Sequence, residues 1–132
     1  MLDRAVIAQL ISDIGDDAFI RLSRQFLDET RQRIGAMTDA WKAADWRELG
    51  RHSHSLKSTA QSFGLPETGL QARDLQVAAD RGDAEAIDAL LPRLIETTTA
   101  ECGLFEQLCR DMQAKRQSAN PTPGACDKAS RD

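Results

Sequence analysis

The chain has no tyrosine, and four phenylalanines and two tryptophans supply all its aromatic rings. That is too few for a platform on which single-stranded nucleic acid could stack. Positive charge is also short: 17 lysines and arginines stand against 21 aspartates and glutamates, a formal charge of −4. An acidic chain releases no counterions from DNA, so nucleic acid is excluded as an expected partner. No apolar run approaches the roughly 20 residues that cross a bilayer. The N-terminal stretch MLDRAVIAQLISDIGDD has acids among its apolar residues and no basic leader, so it does not read as a signal peptide.

Cysteine is sparse. Cys102, Cys109 and Cys126 form no CxxC pair, and an odd number cannot all pair within one chain. This usage fits a reducing cytoplasm. Cys102 and Cys109 stand seven apart, on one helical face, and read as buried apolar thiols. The sequence also lacks a glycine-rich nucleotide loop and an acid cluster suited to a cation, so neither cofactor nor metal is expected.

What the chain does have is helical periodicity. Val6, Ile7, Leu10, Ile11 and Ile14 predict a short amphipathic helix that stops near Gly15, with Asp16 and Asp17 capping the next. Phe19, Leu22, Phe26, Thr30, Ile34, Met37 and Trp41 form the second stripe, which breaks near Ala44–Asp45. Trp46, Leu49, Ser53, Leu56, Ala60 and Phe63 form the third, ended by a glycine C-cap at Gly64. Pro66 suits the first turn of a fourth helix reaching about Arg81, with the stripe Thr68, Ala72, Leu75 and Ala79. The last helix carries Ile87, Leu91, Leu94, Thr98, Phe105, Leu108 and Met112, with Pro92 as a bend or a late start. No strand pattern competes. The expected fold is all-α: an antiparallel four-helix bundle with an additional short N-terminal helix, occupying residues 1–115. Residues 116–132, rich in Pro, Ser, Ala and Asp, read as a disordered tail.

Chemistry concentrates in Arg51-His52-Ser53-His54-Ser55-Leu56-Lys57-Ser58-Thr59-Ala60-Gln61-Ser62-Phe63-Gly64. At about 100° per residue, positions 53, 56, 60 and 63 face the core. His54 lies at the edge of that stripe, with Gly50, Lys57, Ser58 and Gln61 on its ridge. Imidazole is nucleophilic near neutral pH. A phosphoryl group on the ring would gain a charge-assisted bond from Lys57, and Gly50 and Ser58 would leave room for an approaching protein. His52, about 200° away, reads as ordinary surface. Residues i and i+2 on a helix diverge, so His52 and His54 do not make a metal pair.

The stretch from His54 to Leu65 resembles the signature of histidine phosphotransfer (HPt) domains. In that family the phosphorylated His is followed by an apolar residue at +2, Lys at +3, Gly at +4 and a further Gly at +10. His54, Leu56, Lys57 and Gly64 match. Helix order is similar over roughly residues 3–115, as is the acidic turn Ala44-Asp45. The resemblance implies that His54 is phosphorylated and that Gly50, Lys57, Ser58, Gln61 and Gly64 surround the phosphoryl site or the docking surface. The partners would be receiver domains of response regulators and hybrid histidine kinases, met by a free-standing cytoplasmic monomer without kinase or ATPase activity. The chain departs from the pattern at Ser58, Thr68 and Gln76, where Gly, Leu and an acid are usual. The last two departures are expected to weaken the fourth helix rather than the site. A dimerising kinase core would place an acid directly after the His and Pro at +5, where this chain has Ser55 and Thr59. The remaining alternative is a non-catalytic helical adaptor with an incidental surface His.

Overall fold

The computed structural model describes residues 1–119. Five helices follow one another with short connections: α1 (Arg4–Ile14), α2 (Asp16–Lys42), α3 (Trp46–Phe63), α4 (Pro66–Asp80) and α5 (Ala84–Ala119). Consecutive long helices joined by such turns pack antiparallel. This gives the expected all-α bundle of α2 to α5, with α1 laid against its α2/α3 end.

Each helix forms for reasons visible in its sequence. Asp3 caps α1 by accepting from Val6 N–H at 3.2 Å, and Asp45 caps α3 by accepting from Glu48 N–H at 3.2 Å. The four α4 stripe residues, Thr68, Ala72, Leu75 and Ala79, are all buried. Four expectations change. Gly15, with φ 87°, is the residue before α2, and Asp16 and Asp17 sit inside its first turn without a capping bond. There they act on the helix dipole instead. Leu22 is exposed, and Ile20, Ser23 and Leu27 take the inward positions beside Phe19 and Phe26. Helix α5 begins at Ala84 and runs through Pro92. Pro92 forgoes the bond to the carbonyl of Asp88, but its exposed position leaves that group to water. The same helix continues to Ala119, so residues 116–119 are helical rather than tail. The rest of the expected tail, Cys126 included, lies outside the described residues.

The interior divides into two apolar clusters. One gathers Phe19, Phe26 and Phe105 with Leu2 and Ile7 of the N-terminal segment, and Phe63 stacks on Phe26 at 4.3 Å between ring centroids. The other gathers Met37, Leu49, Leu56, Leu75, Leu91 and Leu94. The division follows helix length. At about 1.5 Å per residue, α4 spans less than half the length of α5, and α1 packs against α2 and α3 at the other end of the bundle. Cys102 and Cys109 are both buried, as their spacing predicts. Burial pushes the Cys102 thiol up to about 11 and also raises Cys109, which a Ser23 hydrogen bond partly offsets.

Candidate functional site

The orientation of α3 is fixed at both ends. Asp45 caps its start. At its end Gly64 takes the left-handed conformation, φ 79° and ψ 35°, and donates to Ala60 O. Its carbonyl accepts from Asp3 N–H at 2.8 Å. A side chain here would meet Asp3 O and Ile7 Cγ1, both at 2.9 Å. Gly64 is therefore a buried junction between α3 and the α1 segment. It stands ten residues, about 15 Å, from His54 and is not part of the ridge around it. Leu49, Ser53, Leu56 and Ala60 are buried along α3, which turns His54, Ser58 and Gln61 outward.

The surroundings of His54 come mainly from α4, which packs more extensively on α3 than any other pair in the fold. The two helices meet in an evenly stepped antiparallel register. A Cβ on Gly50 would lie 3.2 Å from Asp80 Oδ1 and 3.5 Å from Ala79 Cβ. One turn on, His54 Nδ1 lies 3.4 Å from Gln76 Oε1. Two turns further, Gly69 faces Gln61 Cγ at 3.3 Å and the Lys57 carbonyl at 3.8 Å. Gly50 is thus buried against α4: the room it leaves is taken by Asp80 and Ala79 and is not open to a partner. Gln76 is a neighbour of the imidazole, and so belongs to the site rather than only to the fourth helix. With Gln76 Oε1 as the acceptor, this contact matches the tautomer that carries its proton on Nδ1, in which the Nε2 lone pair is free. Lys57 is half-buried on the α4 side of the ridge and forms no salt bridge among the described residues.

His52 is not ordinary surface. Its side chain is only 15% exposed, and it bridges two helices. Arg33 on α2 donates from Nη1 to its Nδ1 at 2.9 Å, and its Nε2 lies 3.1 Å from Glu48 Oε2. An Nδ1 that accepts leaves the ring proton on Nε2, the opposite tautomer to the one matched at His54. Glu48 also pairs with Arg51, whose hydrogen bond is the main reason its carboxyl sits below the usual range, while desolvation opposes the shift. The two histidines therefore have separate surroundings: His52 is clasped between α2 and α3, and His54 is open to solvent beside α4.

His54 lies on open helix surface. A cleft of about 400 Å³ between α2 and α5, lined by residues including Thr30, Thr98 and Cys102, is away from it. Among the described residues, no group of three or more His, Cys, Asp or Glu side chains is arranged to hold a metal ion. No described helix is long and apolar enough to cross a membrane. Sequence reasoning missed Gln76, Asp80 and Gly69 as neighbours of the α3 ridge. The one signal in the sequence is the amide at position 76, where the family usually has an acid.

A family model, the Hpt domain, matches residues 21–101. The phosphorelay protein LuxU of Vibrio vulnificus, in strains YJ016 and CMCP6, is 32% identical over 104 residues. The match covers 76% of this chain and 90% of LuxU. The crystal structure of histidine-containing phosphotransfer protein B (HptB) from Pseudomonas aeruginosa PAO1 superposes with a TM-score of 0.79 at 24% identity. That alignment covers 83% of this chain and 95% of HptB, and it shows a shared fold. With the bundle, the match to the family model and the LuxU relationship together, the chain belongs to the Hpt family and is a histidine phosphotransfer domain of a phosphorelay.

Proposed function

We propose that His54 is the phosphorylated residue and that it relays a phosphoryl group between receiver domains of hybrid histidine kinases and response regulators. The observation that carries this reading is the exposed imidazole whose Nδ1 faces Gln76 Oε1 and whose Nε2 is free. The Nε2 lone pair attacks the phosphorus of a receiver's aspartyl phosphate. The P–N bond forms as the P–O bond breaks, and the aspartate carboxylate leaves with the bonding pair. The ring then carries a proton on Nδ1 and the phosphoryl group on Nε2. Its increased acidity strengthens the bond to Gln76 Oε1, and Lys57, one turn along, offsets the phosphoryl charge. Transfer to a second receiver reverses these steps. Such a reaction needs chiefly positioning and charge stabilisation. The partner supplies the carboxylate and any metal ion.

In this reading the domain acts as a cytoplasmic monomer and phosphoryl carrier, without kinase or ATPase activity of its own. The test is incubation with a panel of phosphorylated receiver domains, followed by detection of acid-labile phosphate. The parent chain should be labelled, while His54→Gln should fold normally and take no label. ATP and magnesium alone should not label either. Label retained by the His54→Gln protein would overturn the assignment, and ATP-dependent self-labelling would point to a kinase. A folded parent that no receiver labels would favour the alternative, an adaptor with an incidental surface His.

A further inference from the structure

We propose that Gly50 and Gly69 are positioning residues that hold α4 close enough for Gln76 to set the tautomer of His54. The inference rests on the phosphotransfer reading for its functional consequence, but its structural part stands on the α3/α4 register alone.

The two glycines bracket the His54–Gln76 contact from opposite helices. Gly50 lies on α3 one turn before His54, and Asp80 and Ala79 of α4 fill the space beside it. Gly69 lies on α4, two turns before Gln76, against Gln61 and Lys57 of α3. Neither glycine is at a turn, and neither has a positive φ. A helix interior gives glycine no conformational role, and it is less favourable there than alanine by about 1 kcal/mol. What both positions have in common is close approach: a Cβ at either would meet an atom of the facing helix at 3.2–3.3 Å.

The contact between the glycines has little slack. The distance from Nδ1 to Oε1 is 3.4 Å, near the outer limit for a hydrogen bond. Moving α4 outward by about half an ångström would take it beyond hydrogen-bond range in the present Gln76 rotamer. The ring would then be free to take the other tautomer, in which Nε2 carries the proton and cannot attack phosphorus. Ser58, Gln61 and Lys57 would remain where they are on α3. The glycines therefore act on the reacting nitrogen through Gln76 and not by contact with the phosphoryl group.

The atoms met first are Asp80 Oδ1 and Gln61 Cγ, both parts of flexible side chains. An alanine can be admitted by a small rotation of either. A branched valine reaches further, toward Ala79 at one site and the Lys57 carbonyl and Ala60 at the other. This predicts a graded response. Two-bond ¹⁵N–¹H spectra of the His54 ring, with His52→Gln as background to remove the second imidazole, read the tautomer directly. The parent ring should be predominantly Nδ1–H. Gly50→Ala and Gly69→Ala should change this little. Gly50→Val and Gly69→Val, in protein that retains its helical circular dichroism, should move it toward the mixture of a free imidazole. Receiver-to-His54 transfer should fall by about tenfold or more in the valine variants. Adding Gln76→Ala to either valine variant should cause no further change, since the contact is already lost.

A parent ring that is predominantly Nε2–H would overturn the proposal, as would folded valine variants with an unchanged tautomer. If the valine variants do not fold, alanine variants combined with Gln61→Leu or Asp80→Leu supply the bulk, and the same two outcomes apply. The spectra need no phosphate. A failure of the parent to accept phosphate would therefore count against the phosphotransfer reading and leave the spacing result to stand or fall by itself.

Discussion

The carboxylate of Glu101, on α5, accepts the backbone N–H of Thr68 at 2.8 Å and that of Glu67 at 3.4 Å, at the first turn of α4. Helix α4 has no cap of its own: Leu65 precedes it, and Pro66 has no N–H to satisfy. A side chain 33 positions away supplies the missing acceptor and the negative charge that suits a helix N-terminus. Glu101 is 2% exposed, and its carboxylate also lies 3.5 Å from the Met1 amino group.

Glu101→Ala should therefore destabilise the fold by about 2 kcal/mol, the usual loss for hydrogen bonds to a buried charged group. Glu101→Gln should cost less, because its amide oxygen still accepts. Urea midpoints of the two variants provide the comparison. A loss under about 0.5 kcal/mol for the alanine variant would mean that α4 is held by packing alone.

His52→Ala should cost about 1 kcal/mol of stability while leaving phosphoryl transfer near the parent rate. It removes the partner that Arg33 and Glu48 share, on a different side of α3 from the one where His54 meets Gln76. Acid titration adds a second readout. Glu48's lowered carboxyl contributes stability above the ordinary carboxylate range, and that contribution disappears as pH falls through its lowered value. Part of this acid dependence should be missing in the His52→Ala variant. Transfer lost together with intact stability would place His52 in the reaction instead.

Ser58 is exposed one turn beyond His54. Ser58→Gly should transfer about as well as the parent, at a helix cost of roughly 0.5 kcal/mol. Ser58→Gln should keep the fold and slow transfer, because its bulk would stand where a receiver approaches. Rates measured on folded variants decide the matter. Equal rates for Ser58→Gln and the parent would mean that the partner approaches from another side.

Cys102 should be nearly inert. Raising its thiol from 9.0 to about 11 leaves about a hundredfold less thiolate at neutral pH than an unperturbed cysteine has. In a Cys109→Ser, Cys126→Ser background, alkylation of native protein should be slow and should accelerate in denaturant. Burial favours the neutral thiol, so its contribution to stability is present below about pH 9.0 and lost as pH rises through about 11. Native labelling at the rate of a small free thiol would contradict the buried position.

Much of the helical frame was legible from spacing. The α3 stripe and its end at Gly64 could be read residue by residue, because apolar periodicity and a left-handed glycine are local properties. The exposure of His54 followed from the same wheel. Leu22 shows the limit of that reading. A stripe spaced by threes and fours has two edges, and only the neighbouring helices decide which edge is covered. Glu101 shows another. It lies within the buried face of α5, beside Thr98, Cys102 and Phe105, where an acid looks out of place until α4 is seen to begin above it.

By itself the sequence determined five helices, the inward faces of α3 and α4, and an outward imidazole with a lysine one turn along. These follow from the 3.6-residue repeat and from single residues that start or stop helices. Tertiary structure decided which helix stands beside that imidazole. Gly50 and Gly64 look alike in the sequence as small residues near a histidine, yet one receives α4 and the other receives α1. Gln76 is 22 positions from His54 and reaches it only through the α3/α4 register. His52 and His54, two residues apart, differ because one side of α3 meets Arg33 of α2 and the other meets Gln76 of α4. Periodicity fixes where a side chain points on its own helix. What waits there depends on interhelical packing, which is set by side-chain volumes on both surfaces at once and is written in no single segment.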